Sequence, residues 1–90
     1  MAVEFDPAKD KRNREKHGIS LERAEDMDIG LALTARDDRI DYGEDRYIAI
    51  GPIAGELHVL VYTWRGSSVR AISLRLASAK ERKRWSENQP

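Results

Sequence analysis

The side chains best suited to chemistry in this chain are cations and histidine, without a recognised catalytic motif. The sequence has no cysteine, no glycine-rich phosphate loop, no serine in a glycine elbow and no histidine or carboxylate cluster with metal-ligand spacing. A disulfide, a thiolate centre, a bound metal and a cofactor are therefore not expected. Cleavage of RNA through its own 2′-hydroxyl needs a proton acceptor, positive charge beside the phosphate and a proton donor. Arginine, lysine, histidine and tyrosine suit that chemistry.

His17 closes a predicted N-terminal helix that is almost entirely polar. Asp6 is a suitable N-cap, Pro7 fits the first helical position, and Gly18 suits the left-handed residue that ends a helix. A helix that is polar all round adds little to a core. One side of this helix consists of Lys9, Arg12, Asn13 and Lys16. These polar side chains indicate a working surface around His17. The alternative is structural, because a histidine in the last turn stabilises the negative helix end.

Arg75 lies in a predicted last strand, residues 69–76, that follows a turn signal at 65–68. Strand alternation gives two faces, one with Ile72, Leu74 and Leu76 and the other with Ala71, Ser73 and Arg75. The first face is expected to pack. The second leaves Arg75 projecting from small residues, as a substrate-facing cation would, although a solvated surface arginine is the alternative.

Arg65 and Arg70 flank the same turn. Arg65 ends the preceding strand and converges with Arg75 only if the hairpin register allows it. Arg70 lies on the apolar side at the start of its strand, where it is either a substrate contact or a salt-bridge residue.

Other candidates have structural alternatives of similar weight. Tyr62 is either an RNA contact or a core tyrosine, and Lys80 opens a basic stretch that is either a solvated helix face or a phosphate-tracking stripe. We expect His58 to be a packing residue and Trp64 and Trp85 to be core and helix anchors.

Charge is balanced overall but strongly polarised along the chain. Residues 9–16 hold five basic and two acidic side chains, 22–45 hold three basic and nine acidic, and 65–84 hold seven basic and one acidic. Two surfaces of opposite sign are one interpretation, with the basic one fit for a polyanion. The alternative is that the blocks pair with each other in the fold.

The elements that must position these residues predict an α+β fold. Two N-terminal helices, the second capped by Ser20, precede an antiparallel meander of about four strands, with a further short N-terminal strand allowed. The strands are expected at 31–34, 46–50, 57–64 and 69–76. Gly51-Pro52 is expected to end the second strand. The third strand is apolar on both faces and is therefore expected at the centre of the sheet. Ser78 and Glu81 form a capping-box pattern that opens a C-terminal helix. Segregated helices and strands of this kind indicate α+β.

Ninety residues form a single domain, residues 1–90, with room for an open surface site and hardly for a deep cavity. The N-terminus resembles no signal segment, and no apolar run approaches the ~20 residues needed to span a membrane. Without cysteine, the chain suits a reducing cytoplasm, so a cytoplasmic protein with no membrane partner is expected.

Several strings, in collinear order, resemble the BrnT family of toxins. They are Phe5-Asp6-Pro7-Ala8-Lys9, Asn13-x-x-Lys16-His17-Gly18-Ile19-Ser20 with Ala24, Gly43-Glu44-x-Arg46-Tyr47-Ile48-x-Ile50-Gly51, Val61-Tyr62-Thr63-x-Arg65, Val69-Arg70-x-Ile72-Ser73-x-Arg75-x-Ala77, and Glu81. The most telling are the Lys-His-Gly and Arg-x-Ile-Ser-x-Arg segments, and the set spans nearly the whole chain.

This resemblance implies a RelE-like fold, RNA cleavage that stops translation, and neutralisation by a BrnA-like antitoxin that alone contacts operator DNA. It also implies a functional surface made of Lys16, His17, Arg65, Arg70 and Arg75. Leu76 and Trp85 depart from the family, which usually has a basic residue and a tyrosine there. A tyrosine that could act as acid or base is therefore missing at position 85, and His17 and the arginines become the stronger candidates for catalysis.

The resulting hypothesis is a metal-independent endoribonuclease. Arg75 and Arg65 would hold the scissile phosphate while His17 moves a proton. Lys16 would also take part in catalysis. The RNA would be bound by Lys9, Arg12, Arg70, Tyr62 and Lys80. The alternatives are a nucleic-acid-binding regulator without activity and a pure protein-interaction domain whose charged faces contact a partner.

Overall fold

The sheet has five strands in the order β1-β5-β4-β3-β2, in a computed structural model that describes residues 2–89. The strands are β1 Val3–Glu4, β2 Leu33–Arg36, β3 Tyr47–Ile53, β4 Glu56–Arg65 and β5 Ser68–Leu76; the helices are α1 Pro7–His17, a 3₁₀ helix Leu21–Asp26, and α2 Ala79–Glu87. The α+β class and the central position of β4 are confirmed. The sheet is mixed, because β1 adds a fifth strand parallel to β5. No helix in this part of the chain is long and apolar enough to cross a membrane.

Helix boundaries follow the predicted caps. The Asp6 side chain accepts a hydrogen bond from the Ala8 N–H, and Gly18 ends α1 with φ of 72°. Ser20 caps the second helical segment, which is 3₁₀ instead of α-helical. Ser78 and Glu81 form the full capping box at the start of α2.

Two strands were predicted with wrong bounds. Strand β2 is Leu33–Arg36 instead of 31–34, and β3 continues through Gly51-Pro52 to Ile53. A Cβ on Gly51 would lie 3.0 Å from the Ala32 Cβ, so this glycine permits close packing and does not end the strand. Strand β2 begins at Leu33, opposite Ile50, and does not extend to Pro52, so Pro52 has only one neighbouring strand, where proline is tolerated.

A β-bulge in β5 corrects the predicted faces of that strand. Val61 lies opposite Ser73 and Tyr62 lies opposite Ala71, which leaves Ile72 as the extra residue. Ala71 is therefore buried in the same core as Leu74, and its side chain does not share the face of Arg75.

Two cores lie on opposite faces of the sheet. The larger packs the 3₁₀ helix residues Leu21 and Ala24 against the sheet, with Leu60 and Leu74 fully buried. The smaller lies under α2, where the Trp85 Nε1 donates a hydrogen bond to the Leu31 carbonyl at 3.0 Å.

His58, Trp64 and Trp85 were predicted to pack in the core or to anchor a helix. His58 is buried, as predicted, with Nδ1 2.7 Å from the Glu56 carbonyl oxygen. Trp85 anchors α2, but Trp64 is 51 % exposed at the end of β4 and is not a core residue.

Helix α1 is attached to the sheet mainly by hydrogen bonds. Beyond Arg70, β1 no longer pairs with β5, and the backbone of β5 lacks a neighbouring strand on that side. The Asn13 carboxamide takes its place: Nδ2 donates to the Leu74 carbonyl at 2.8 Å, and Oδ1 accepts from the Leu74 N–H at 3.0 Å. Nδ2 also donates to the Ile19 carbonyl at 2.8 Å. Asn13 lies beside Lys9, Arg12 and Lys16 as predicted, but it is only 6 % exposed and its carboxamide is used in these bonds.

Asp10 fastens the segment that follows α1. Its carboxylate accepts hydrogen bonds from the Leu21 N–H at 2.7 Å, the Ser20 hydroxyl at 3.0 Å and the Arg14 Nε at 3.1 Å. These bonds, that from Leu21 foremost, hold the pKa of the Asp10 carboxyl below its usual value. Asn13 and Asp10 thus attach α1 by hydrogen bonds, where most helices pack through an apolar face.

Replacing Asn13 with alanine is expected to lower the free energy of unfolding by roughly 2–4 kcal/mol, because two backbone groups of Leu74 and the Ile19 carbonyl lose their partner. The greater helix propensity of alanine offsets only part of this loss. Urea denaturation measures the change. The matched control is Glu15→Ala, an exposed position on α1 that should change stability by less than about 0.5 kcal/mol. Equal stabilities of the two variants would contradict the assigned role of Asn13.

Candidate active site

Two adjoining open pockets form a continuous groove beside the bulged strand β5. Their volumes are about 300 Å³ and about 270 Å³, and they share Lys16, His17, Ile72 and Ser73. We call this surface the basic groove; its ionisable lining comprises Lys9, Arg12, Lys16, His17, Asp37, Arg39, Tyr42, Arg46 and Arg75. Six permanent cations against one carboxylate make it a surface for an anion.

His17 enters the groove from the C-terminal end of α1. The left-handed Gly18 turns the chain away directly after it, so the imidazole stays at the helix end. Burial chiefly, followed by the positive charges of Lys16 and Arg75, lowers the pKa of His17 below 6.5. The ring is therefore neutral at pH 7 and can accept a proton.

Arg75 is held in place by Glu81 of α2. Its Nη1 and Nη2 donate to the two Glu81 carboxylate oxygens at 2.7 and 2.8 Å. The hydrogen bonds from Arg75 lower the pKa of Glu81 to about 2, and those same bonds raise the pKa of Arg75. Because Glu81 also caps α2, the first turn of that helix fixes the guanidinium in the groove.

The loop between β2 and β3 forms the opposite wall. The side chain of Asp37, 1 % exposed, accepts hydrogen bonds from Arg39 Nε and Nη2, both at 2.8 Å, and from the Tyr42 hydroxyl at 3.1 Å. These bonds, those of Arg39 first, hold the pKa of Asp37 far below its usual range. The guanidinium of Arg46 stacks on Tyr42 with its carbon 4.1 Å from the ring centroid.

The structure brings together five of the residues that the sequence selected: Lys9, Arg12, Lys16, His17 and Arg75. Arg65 is not brought to them. Arg75 lies opposite Val59, six residues before Arg65 on β4, which separates the two backbones by about 20 Å. The hairpin register therefore does not let Arg65 and Arg75 hold one phosphate.

Three further predicted residues lie outside the groove. Arg70 pairs with Glu4 of β1 at 3.5 Å, as in the salt-bridge alternative. Tyr62 is 7 % exposed in the larger core, on the face opposite to its neighbour Val61, which lines the groove. Lys80 is exposed on α2 beside Lys83.

Three features of the site were not predicted from the sequence: Arg39, Arg46 and the role of Glu81. Arg39 lies within the stretch 22–45, where nine acidic and three basic side chains gave no reason to select this arginine for an anion-binding surface. Arg46 and Glu81 did occur in the quoted family strings, which was the only available signal. Their contacts join segments distant in the sequence, and no local periodicity predicts such contacts.

Metal-ligating side chains do not cluster in residues 2–89: no group of three or more histidine or acidic side chains is placed to hold an ion. What the groove does offer is a neutral imidazole, a fixed arginine and further cations along one open surface. Such an arrangement can bind a phosphodiester backbone, move one proton and stabilise negative charge on phosphorus.

A small α+β domain with a histidine in a basic groove is suited to bind a polyanion and to move a proton on it. Residues 5–81 match the family model described as the ribonuclease toxin, BrnT, of type II toxin–antitoxin systems. The chain belongs to this family of ribonuclease toxins, and a type II toxin has a protein antitoxin as its partner. A search of curated proteins finds no match.

Proposed function

We propose that this toxin is a metal-independent endoribonuclease that uses the 2′-hydroxyl of its RNA substrate as the nucleophile. One observation carries the proposal: the neutral imidazole of His17 and the Glu81-bound guanidinium of Arg75 line the same pocket. Within this pocket a base and a phosphate-binding cation can act on one phosphodiester.

In the proposed step, His17 accepts the proton of the 2′-hydroxyl. The 2′-oxygen forms a bond to phosphorus, the bond from phosphorus to the 5′-oxygen breaks, and the released oxygen takes up a proton that the open groove lets water supply. Arg75 stabilises the negative charge that grows on the phosphoryl oxygens. Lys9, Arg12 and Lys16 extend along the groove and would bind the flanking backbone.

Arg75→Ala is expected to reduce the RNA cleavage rate by roughly 10²–10³-fold and to abolish growth arrest, because one donor to the transition state is lost. Some stability is lost as well, since Glu81 loses its partner, so circular dichroism must verify the fold. Arg23→Ala is the matched control: it also removes an arginine paired with a carboxylate, here Asp26 at 3.6 Å, but outside the groove. Similar cleavage by both variants would exclude Arg75 from the site.

The pH dependence of kcat/KM tests His17. Since burial and nearby positive charge lower its pKa below the usual value, the neutral, proton-accepting form predominates at pH 7 and declines as the pH falls through that pKa. The value of kcat/KM should therefore decrease tenfold per pH unit on the acidic side of the profile. The His17→Gln variant should cleave slowly, and its pH profile should lack this acidic limb. Persistence of the limb in His17→Gln would assign the titration to another group.

Positive charge of the kind that a metal ion supplies in other nucleases is provided here by the arginines and lysines. Purified toxin should therefore cleave RNA in excess chelator and leave 2′,3′-cyclic phosphate or 3′-phosphate ends, which end-group analysis distinguishes from 5′-phosphate products. Loss of cleavage on chelation and recovery with Mg²⁺ would refute the mechanism.

The partner is proposed to be a BrnA-like antitoxin that covers the basic groove with an acidic segment and carries the DNA-binding function, while the free toxin stops translation. Hydrogen exchange of the complex should show protection of the segments around His17 and Arg75, which line the groove, and association should slow as salt rises. Protection confined to the 3₁₀ helix Leu21–Asp26, which lines no part of the basic groove, would indicate inhibition from a distance.

A further inference from the structure

The wall of the basic groove facing His17 and Arg75 contains an arginine that the proposed mechanism leaves unused. Arg39 extends from the loop between β2 and β3, and its side chain is 69 % exposed although two of its nitrogens bond to Asp37. Only Nε and Nη2 face Asp37, so the Nη1 edge of the guanidinium is available to a ligand.

Arg39 is unusually well fixed for an exposed arginine. Asp37 directly follows β2, and its N–H donates to the Arg46 carbonyl at 2.8 Å, which extends the pairing of β2 with β3 by one bond. The Asp37 carboxylate is buried, and Tyr42 occupies an oxygen that Arg39 also uses. Burial of a carboxylate is costly unless it is paired, so this arrangement restricts Arg39 to one orientation.

Arg39 and Arg75 repel each other across the pocket. The hydrogen bonds to Glu81 raise the pKa of Arg75, whereas the positive charge of Arg39 acts in the opposite direction. Two fixed guanidinium groups of like charge that face one open space favour a bound anion there, because its negative charge offsets their mutual repulsion. A single-stranded RNA offers such charges at each nucleotide.

We propose that Arg39 is a second phosphate-binding arginine, which holds an RNA phosphate next to the one held by Arg75, and that Asp37 is the positioning residue that aims it. This inference rests on the proposed ribonuclease function and extends it to a substrate contact on the β2–β3 loop. The acidic stretch 22–45 thus contributes one cation to the RNA surface.

Binding of a short single-stranded RNA with 2′-O-methyl riboses, which cannot be cleaved through the 2′-hydroxyl, tests the contact. Fluorescence anisotropy should show roughly 10–100-fold weaker binding by Arg39→Ala, as expected for a lost charge-assisted hydrogen bond. The slope of log Kd against log salt should decrease by about 0.7, the value for one phosphate contact on a single strand.

Arg36→Ala is the matched control, because Arg36 lies at the base of the same loop, is paired with Asp38 and Asp45 and lines no part of the basic groove. It carries the same change in net charge. If both variants lose affinity equally, the effect is one of overall charge and the inference fails. Wild-type affinity of Arg39→Ala also overturns it.

Asp37→Asn separates positioning from simple electrostatics. The substitution removes a negative charge from the groove, so charge alone predicts tighter RNA binding. Loss of the positioning carboxylate predicts weaker binding, with little further loss when Asp37→Asn is added to Arg39→Ala. Thermal unfolding must verify that Asp37→Asn is folded at the assay temperature; Arg39→Lys, which keeps the charge without the two-pronged bond, should bind between wild type and Arg39→Ala.

Failure of this inference can be distinguished from failure of the proposed function. If Arg75→Ala and His17→Gln lose cleavage while Arg39→Ala binds and cleaves as wild type, the ribonuclease site holds and Arg39 lies outside it. If Arg75→Ala and His17→Gln still cleave, the proposed function itself is wrong.

Discussion

Asn13 presents a hydrogen-bond donor and an acceptor side by side to the backbone of Leu74, as a neighbouring strand would. Strand β1 is only two residues long, so β5 would otherwise expose unpaired backbone at an edge that the helix covers. One buried carboxamide resolves this conflict and fixes the height of α1 along β5. Lys16 and His17, one turn further on, reach the groove only because α1 lies at that height.

Glu81 both caps α2 and holds Arg75, a residue of the basic groove, in its orientation. Its carboxylate accepts from the backbone N–H of Ser78 at 2.8 Å and from both terminal nitrogens of Arg75. Local helix stability and the orientation of a substrate-facing cation are therefore set by the same two oxygens. The buried Asp37 has the same relation to Arg39 on the other wall. Each wall carries an arginine whose direction is fixed by a carboxylate.

Local signals in the sequence predicted much of this architecture, and non-local contacts account for what was missed. Asp6, Gly18, Ser20 and Ser78 act on backbone groups within a few residues, so their caps could be predicted. The contact between Asn13 and Leu74 spans 61 positions, and the polar helix face alone suggested a surface role for Asn13. The bulge at Ile72 has no signature in the apolar pattern, which is why the faces of β5 were assigned wrongly at Ala71.

That bulge divides β5 into two stretches whose side chains alternate independently. Before the bulge, the side chains of Val69 and Ala71 belong to the larger core. After Ile72 the alternation starts anew, and Ser73 and Arg75 lie on the opposite face of the sheet. Insertion or loss of one residue at the bulge would exchange the two faces of the stretch that follows it, sending Arg75 toward the core. Changes in the length of the hairpin tip at Gly66-Ser67 leave that stretch in phase. Natural variation in length should therefore concentrate at the tip and avoid the bulge.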